Sequence, residues 1–427
     1  MKKRIVITGL GPIASVGIGK NLVWQGIKTR RLGLESIKFK VNNKKWEEFY
    51  MHRVKNFDLN NFNIDTQELN YIRMWKGNKE NRDLNFLLAA TKLALEDSGI
   101  NYEYEKKSLG LVVAHENPCL EQLLWELFGE SYNLRNQLFI KDKIKYFEKL
   151  YAKVVRTAYE TQPFMFLFHI AKVFKIHQYS LYVNNACASG LYGLEAAKDM
   201  IVSGKSSQVV VVGGDCPDVF KYLWFKSLGM YSLDGKIRPF SGKGNGFVFG
   251  EGATALVVED YNVANKRGAK IYAEYLGGSF QLEGWKITTP AIKENYLTDT
   301  LKNVLKRNRL GVSDIDLICA HGTGTYLSDV YEASAIGNVF RKSDKTLITA
   351  LKPFVGHQLG GCTLIELAII LLSMQHKVIL PILNIDKENC FRNLNLALEE
   401  KKVDYKTVLK TCSAFAGYNA AILLKKI

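Results

Sequence analysis

The sequence lacks several features that define whole classes of protein. Its seven cysteines are widely spaced and form no C-x-x-C pair, so neither a zinc site nor a disulfide framework is indicated. No uninterrupted apolar run reaches membrane-spanning length, and the run that follows the basic N-terminus is too short for a signal-peptide core. Short repeats of the solenoid kind are also absent. We therefore expect a cytoplasmic globular protein with no membrane span and no metal site.

Acidic residues are scarce relative to basic ones. The chain has 42 Asp and Glu against 58 Lys and Arg, which gives a net charge of +16. Such a charge suits an acidic partner. Nucleic acid is one candidate, but the sequence has no helix-turn-helix, finger or stacking-platform signature and its lysines are spread along the chain. We prefer an acidic protein partner, because a nucleic-acid-binding module would rest on net charge alone.

Strand and helix patterns alternate along most of the 427 residues, which is enough chain for one large duplicated unit. Valine-rich runs such as Gln208 to Gly213 are typical of buried parallel strands, and Asn81 to Gly99 has the apolar stripe of an amphipathic helix. The alternation predicts an α/β fold. Residues 30–75 are polar and weakly periodic, which predicts an insertion with little regular secondary structure. Residues 117–165 read as a largely helical insertion.

One short stretch has the pattern of a strand, a tight turn and a helix. Tyr179 to Val183 is rich in β-formers, small residues follow, and Leu191 to Ser203 has helical periodicity. This places Cys187 near a helix N-terminus, where the helix dipole favours a thiolate and makes the sulfur a candidate nucleophile. The alternative is a packing residue, because free cysteine is among the most buried residue types.

Two histidines occupy comparable positions in the second half of the chain. His321 directly follows the strand Leu317 to Ala320, and His357 precedes the glycine-rich start of a helix. A histidine in a turn is commonly a structural hydrogen-bonding residue. However, open α/β sheets bind ligands at the carboxyl ends of their strands. Three groups of complementary chemistry at such positions indicate an active site more strongly than any one of them.

Taken together, these motifs resemble those of the β-ketoacyl-acyl carrier protein synthases, the condensing enzymes of fatty acid and polyketide synthesis. The resemblance spans nearly the whole chain and is to the Cys-His-His class of these synthases. The motifs, in order, are Cys187 in A-C-A-S-G, His321 in H-G-T-G-T with Asp329 downstream, Lys352 and His357 in K-P-F-V-G-H, Glu366 after Gly360-Gly361, and Phe415 in S-A-F-A-G.

The resemblance implies a thiolase-like fold with two similar βαβαβαββ halves in five layers (αβαβα). We expect residues 1–260 to carry Cys187 and residues 261–427 to carry both histidines. It implies that Cys187 is the acyl acceptor and that the two histidines stabilise an enolate. Phe415 would be a gate whose N–H joins that of Cys187 in an oxyanion hole. The catalytic set also includes Lys352, although a structural ion pair of Lys352 with Glu366 stays open. Supporting roles fall to Glu366, Thr323, Thr325 and Asp329, and an acyl pocket to His115 and Asn117.

The implied reaction is a decarboxylative condensation of the acyl group on Cys187 with a malonyl thioester on acyl carrier protein. It needs no cofactor, because phosphopantetheine arrives on the carrier. The acidic carrier protein is the expected partner. A homodimer is expected, and a heterodimer with a paralogue stays open. The alternative function is that of a chain-length-factor-like or initiation paralogue that acts together with another synthase.

Three departures from the family pattern indicate an unusual acyl substrate or a specialised pathway. The glycine-rich turn that the family has after the strand Leu109 to Ala114 is replaced by His115-Glu116-Asn117-Pro118. The closing G-F-G-G is Ala414-Phe415-Ala416-Gly417, and its added methyl groups are expected to stiffen the gate. Residues 119–165 are longer than a minimal synthase needs.

Overall fold

A computed structural model describes residues 3–40, 46–75, 81–101, 109–116, 120–137, 143–340 and 345–427. Within these ranges the chain forms sixteen strands and thirteen α-helices. The strands are β1 (Ile5–Ala14), β2 (Gly17–Ile18), β3 (Leu34–Lys40), β4 (Trp46–His52), β5 (Leu109–Ala114), β6 (Ser180–Val183), β7 (Gln208–Asp215), β8 (Phe249–Gly250), β9 (Gly252–Asp260), β10 (Ala273–Leu282), β11 (Leu317–Ala320), β12 (Leu347–Ala350), β13 (Val378–Ile379), β14 (Lys401–Lys402), β15 (Thr407–Ser413) and β16 (Tyr418–Lys425).

The helices fall mostly between consecutive strands of the sheet, as the sequence pattern predicts. They are α1 (Lys20–Lys28), α2 (Thr66–Trp75), α3 (Arg82–Ser98), α4 (Leu120–Gln137), α5 (Lys143–Glu160), α6 (Phe164–Phe174), α7 (Ser189–Val202), α8 (Val219–Ser227), α9 (Tyr261–Lys266), α10 (Tyr296–Asn308), α11 (Tyr326–Val339), α12 (Lys352–Val355) and α13 (Cys362–Gln375). Short 3₁₀ turns cover Leu59–Phe62, Val312–Asp314, Leu359–Gly361 and Phe415–Gly417.

The main sheet has two halves with the same pattern of strand directions. Its order is β12-β11-β15-β16-β10-β1-β9-β7-β5-β6, with β2 attached to β1. In one half β6, β5 and β7 are parallel and β9 and β1 follow antiparallel; in the other β12, β11 and β15 are parallel and β16 and β10 follow antiparallel. The halves meet where Ile5–Ile7 pairs with residues 273–275. The fold is therefore an internal duplication.

Buried side chains divide the molecule into five layers. One apolar core contains residues of α7 and α13 together with one face of each half-sheet. A second core joins the other face of β5, β7 and β9 to α3 and α6. A third joins the other face of β11, β15 and β16 to α10 and α11. The order helix, sheet, helix, sheet, helix confirms the predicted thiolase-like α/β fold.

Local signals fix the ends of the elements as the sequence indicates. Helix α3 begins at Asn81, whose side chain accepts a hydrogen bond from the Leu84 N–H, and it ends at Gly99 in the left-handed conformation with φ of 70°. Strands β5 and β11 match the predicted strands residue for residue. No helix in the described ranges is long and apolar enough to cross a membrane.

Two segments differ from the sequence-based prediction. Part of residues 30–75 is regular: β3 and β4 form a hairpin that pairs with β8, and α2 follows. The hairpin forms because Ile37 and Phe39 alternate with lysines and pack against an aromatic core that contains Phe49. The sequence also predicts a loop over Lys352 to His357, but the first four residues of this segment form α12, with Pro353 in the first turn.

Candidate active site

The turn between β6 and α7 holds Cys187 in a strained backbone. Ala186, just before the cysteine, has φ of 49°, a left-handed conformation that costs an alanine about 1–2 kcal/mol. The hydroxyl of Ser189 stabilises the turn, because it accepts from the Asn185 N–H over 2.8 Å and donates to the Ala186 carbonyl over 2.6 Å. The turn leaves Cys187 buried, at 8% exposure, two residues before α7 begins.

Gly190 lets the helix of Cys187 pack closely against α13. A Cβ at this position would lie 2.4 Å from Thr363 Oγ1 and 2.7 Å from Leu364 Cγ. The Cys362 thiol, at the start of α13, donates to the Cys187 carbonyl over 3.3 Å. The nucleophile turn is therefore fixed directly to the helix that follows His357.

His321 is held at the end of β11 by contacts on both its backbone and its ring. Its N–H donates to Glu332 Oε1 over 2.8 Å. The Lys352 ammonium lies 3.0 Å from His321 Nδ1 and donates to the His321 carbonyl over 2.7 Å. Because a lysine ammonium can only donate, Nδ1 is the acceptor and the ring proton is on Nε2.

His357 has the same tautomer for a different reason. The Leu359 N–H donates to His357 Nδ1 over 3.1 Å, so Nε2 again carries the proton. The His357 backbone N–H donates to the Val248 carbonyl over 2.8 Å. The two imidazole centroids lie 5.6 Å apart at an interplanar angle of 88°. Both histidines can therefore present an Nε2–H donor at the site.

The structure brings the three predicted catalytic groups together. Nitrogen atoms of His321 and His357 and the sulfur of Cys187 lie within 4.8 Å of one another. Burial lowers the pKa of His321 well below its ordinary value, and Lys352 and His357 lower it further. Burial followed by Lys352 has the same effect on the pKa of His357. Both rings are therefore neutral donors at neutral pH.

The Cys187 thiol has an environment that opposes ionisation at rest. Burial raises its pKa well above the ordinary value, the Glu116 carboxylate adds to this, and Lys352 acts in the opposite direction. We expected the helix N-terminus to favour a thiolate. In the resting site burial opposes ionisation, so the thiol form is favoured.

A buried ion cluster lies behind the histidines. Lys352 and Glu366, both fully buried, are 2.8 Å apart. A second fully buried lysine, Lys410 on β15, lies 2.7 Å from the other oxygen of Glu366. We did not single out Lys410 from the sequence. A signal was present, because alternation along β15 places it on the same face as the core residues Val408 and Cys412.

The segment around Phe415 carries further backbone strain near the site. Ala416 has φ of 59° and ψ of 11°, whereas Ala414 has an ordinary extended backbone. The half-buried Phe415 ring lies 5.5 Å from the Phe225 ring and 5.9 Å from the Trp224 ring. Among the described residues the N–H groups of Cys187 and Phe415 have no acceptor, as an oxyanion hole requires.

A small pocket opens beside the cysteine and both histidines. Thr323 and Thr325 line it, and their hydroxyls lie 2.7 Å apart. The segment Lys286 to Pro290 also lines it, although nothing in that sequence pointed to the site. The other lining residues are Cys187, Phe225, Met230, Phe247, His321, Ser328, His357, Ser413, Ala414, Phe415 and Gly417.

Asp329 does not line this cavity. Its buried carboxylate accepts from the Phe240 N–H over 2.8 Å and the Gly324 N–H over 3.2 Å, so it joins two loops beside the site. Burial raises its pKa to about 8. It therefore fixes the loop that carries Thr323 and Thr325, and its supporting role stays a prediction.

His115, a candidate for the acyl pocket, does not line the cavity either. Its ring is fully buried, with Nε2 3.3 Å from Asp83 Oδ1 and 3.8 Å from Asp215 Oδ1. Asn117 lies outside the described residues. The acyl-pocket role of both stays a prediction.

Two groups of described side chains bring potential metal ligands within 4.8 Å of one another: Cys187, His321 and His357, and Asp83, His115 and Asp215. In the first group both Nε2 atoms carry protons, so they have no lone pair for a metal. In the second, the Lys221 ammonium lies 3.3 Å from Asp215 Oδ1. Asp215 and Asp83 raise the pKa of His115 despite its burial. The Lys221 ammonium therefore balances part of the charge of the two carboxylates.

Comparison with known proteins gives matches over most of the chain. The protein-family model described as "Beta-ketoacyl synthase, N-terminal domain" matches residues 2–264. The family model described as "Beta-ketoacyl synthase, C-terminal domain" matches residues 272–386. The chain is 26% identical to 3-oxoacyl-[acyl-carrier-protein] synthase 1 of Buchnera aphidicola subsp. Acyrthosiphon pisum, over 99% of this chain and 100% of that protein. It is 26% identical to granaticin polyketide putative beta-ketoacyl synthase 1 of Streptomyces violaceoruber, over 100% and 99%.

Solved structures resemble the fold at lower sequence identity. The ishigamide ketosynthase/chain length factor superposes with a TM-score of 0.85 at 23% identity and full coverage of both chains. A type II PKS acyl-carrier protein in complex with its ketosynthase, bound to the hexaketide, gives a TM-score of 0.82 at 22% identity, again with full coverage.

Proposed function

Since the chain belongs to the β-ketoacyl synthase family, we propose that it condenses an acyl group held on Cys187 with a malonyl thioester on acyl carrier protein. The products are a 3-ketoacyl thioester, CO₂ and free carrier protein. The observation that carries this proposal is the convergence of Cys187 with two neutral imidazoles within 4.8 Å.

The first half-reaction transfers the acyl group to Cys187. The sulfur attacks the thioester carbonyl, and the N–H groups of Cys187 and Phe415 stabilise the oxyanion. The carbon–sulfur bond to phosphopantetheine then breaks, and the departing thiolate takes up the proton that Cys187 gives up. The raised pKa of Cys187 fits this exchange between two thiols, because no permanent thiolate is needed.

The second half-reaction depends on the histidines. The malonyl thioester oxygen accepts hydrogen bonds from Nε2–H of His321 and His357, and the malonyl carboxylate leaves as CO₂. The resulting enolate carbon attacks the acyl carbonyl, and Cys187 leaves as a thiolate that is protonated again by solvent. Neutral imidazoles suit this role, because each can donate its Nε2–H to the developing negative charge while its Nδ1 accepts the bond that orients the ring. The scheme uses only these side chains and N–H groups, so we propose that it needs no resident cofactor.

The expected partner is an acidic acyl carrier protein. The net charge of +16 and the exposed Lys286 at the cavity mouth support this proposal. We further propose that the chain works as a dimer with a copy of itself or with a paralogue, and that the location is cytoplasmic. A chain-length-factor-like role is the weaker alternative, because Cys187, His321 and His357 are all present and converge.

The experiment is to incubate the protein with acyl and malonyl thioesters of a carrier protein. We expect an acyl adduct on the peptide that contains Cys187, followed by CO₂ release and a 3-ketoacyl product. If Cys187 carries no adduct and no CO₂ is released, the proposal is wrong. A set of acyl chains of different length and polarity in the same assay would test the expected specialised substrate.

A further inference from the structure

Lys410 is an unusual residue for the interior of a sheet. It lies on β15 opposite Cys319 of β11, and none of its surface is exposed. A buried lysine loses hydration and side-chain freedom, and apolar residues of similar volume often replace buried ion pairs without loss of stability. Stability alone therefore explains Lys410 poorly.

The contacts of Lys410 all lead to the residue before His321 or to the ion cluster behind it. Its ammonium donates to the Ala320 carbonyl over 3.2 Å and lies 2.7 Å from Glu366 Oε2. The Lys352 ammonium uses its three protons on His321 Nδ1, the His321 carbonyl and Glu366 Oε1. Lys352 thus has no donor left for Ala320, and Lys410 supplies it.

The next two residues of β15 also contact the surroundings of His321. The Thr411 hydroxyl donates over 2.6 Å to Glu332 Oε1, the atom that accepts from the His321 N–H. Cys412 Sγ lies 3.4 Å from His321 Nδ1. Three consecutive residues of β15 therefore support His321 from both faces of the sheet. Lys410 does so through Ala320, Thr411 through Glu332, and Cys412 by contact with the ring.

We infer that Lys410 is a positioning residue for His321: it fixes the end of β11 through Ala320 and holds Glu366 so that the Lys352 ammonium faces His321 Nδ1. The inference rests on the proposed function, in which His321 acts on the malonyl half-reaction. Lys410 also adds a second cation to the cluster. It contributes to the lowered pKa of both histidines, after burial and Lys352 for His357, and after burial, Lys352 and His357 for His321.

The test separates the two half-reactions in Lys410→Met, which removes the charge and the donor, and Lys410→Gln, which keeps a donor. We expect Lys410→Met to slow malonyl decarboxylation and condensation about 10²-fold through misplacement of His321, and acylation of Cys187 by less than about 3-fold. Lys410→Gln should lie between Lys410→Met and the unmodified protein. The condensation rate should fall at low pH as the histidines become protonated, and we call this fall the acid limb. In both variants the acid limb should move to higher pH, because removing a cation raises the pKa of the histidines.

Arg267→Met is the matched control. Arg267 pairs with the buried Glu259, which lies opposite Gln208, at the far end of β9 from Gly252 and the site. This variant should lose stability but keep both half-reactions and the acid limb.

The outcomes distinguish the inference from the proposed function. If the unmodified protein forms no acyl-Cys187, the proposed function fails. If acylation proceeds but Lys410→Met leaves condensation and the acid limb unchanged, or slows both half-reactions equally, the inference is overturned. If neither Lys410 variant folds, ¹⁵N spectra of the unmodified protein decide. The inference requires a His321 ring whose pKa lies well below the ordinary value and whose proton is on Nε2, and a ring that titrates near its ordinary pKa contradicts it.

Discussion

The ammonium group of Lys352 lies 3.0 Å from Nδ1 of His321, and this contact fixes which ring nitrogen carries the proton. Nε2 is then a hydrogen-bond donor and not a base. The Leu359 N–H does the same for His357. The site therefore has two preorganised donors for a developing enolate, in a buried environment where such donors act most strongly.

Replacing either histidine by alanine should slow malonyl decarboxylation about 10²–10³-fold, because one enolate donor is lost. Acylation of Cys187 should change little, since it uses the backbone N–H groups. Single-turnover assays of each half-reaction measure both effects. His376→Ala is the control, because His376 is exposed and stacks on Trp24 at the end of α13. Equal loss of both half-reactions in His321→Ala and His357→Ala would falsify this division of roles.

The pH dependence of Cys187 alkylation tests the resting state of the nucleophile. Because burial raises the pKa of the thiol, the thiolate fraction should grow tenfold per pH unit through neutral and alkaline pH, and the iodoacetamide rate with it. Peptide mass spectrometry of the modified protein follows Cys187 separately from the other cysteines, and Cys187→Ser provides the blank. A plateau in the rate below about pH 8 would show instead that the helix N-terminus dominates.

The sequence predicted most of what local patterns determine. Strand, turn and helix around Cys187 were assigned correctly, and the strand before His321 matched residue for residue. It did not predict what distant chain segments create. The cavity wall from Lys286 to Pro290 reaches the site because β10 pairs with β16, and no local pattern marks it. Lys410 had a signal, but one lysine in a strand is ordinarily assigned to the exposed face.

The backbone angles show which of the two alanines beside Phe415 can account for the expected stiffening of this gate. Only Ala416 has a left-handed conformation, whereas Ala414 is extended. Ala416→Gly and Ala414→Gly should both increase the entropy of the unfolded chain, but only the first relieves strain. We expect Ala416→Gly to be more stable than Ala414→Gly by about 1–2 kcal/mol in urea unfolding. Equal free energies of unfolding for the two variants would mean that the left-handed conformation of Ala416 does not destabilise the folded protein.

His52 should make the fold sensitive to acid. Burial lowers its pKa to about 4, and its Nδ1 lies 2.6 Å from the Leu32 carbonyl. The unfolded chain binds a proton near the ordinary pKa of about 6.5, so acid favours unfolding. The contribution of His52 is complete above that value and is lost as pH falls towards 4, by about 3 kcal/mol at most.

His52→Asn keeps a donor for Leu32 but cannot titrate. Unfolding free energies measured across this pH range should therefore fall less steeply in His52→Asn than in the unmodified protein. The other titrating groups are common to both proteins, so the difference in slope isolates His52. Parallel curves would show that His52 is protonated in the folded state.

Carrier-protein docking should depend on Lys286 at the cavity mouth. Lys286 is exposed and lies beside the exposed Trp285 and Ile287, so an acidic carrier that delivers phosphopantetheine to Cys187 must pass close to it. Lys286→Glu should raise KM for the carrier substrate several-fold and leave kcat nearly unchanged, because the charge acts on encounter and not on chemistry. The effect should shrink as salt is added. Lys401→Glu makes the same change in charge at β14, which pairs with β13 just beyond the C-terminal end of α13, and should leave KM unchanged. An equal rise of KM in both variants would mean that net charge, not the position of Lys286, governs docking.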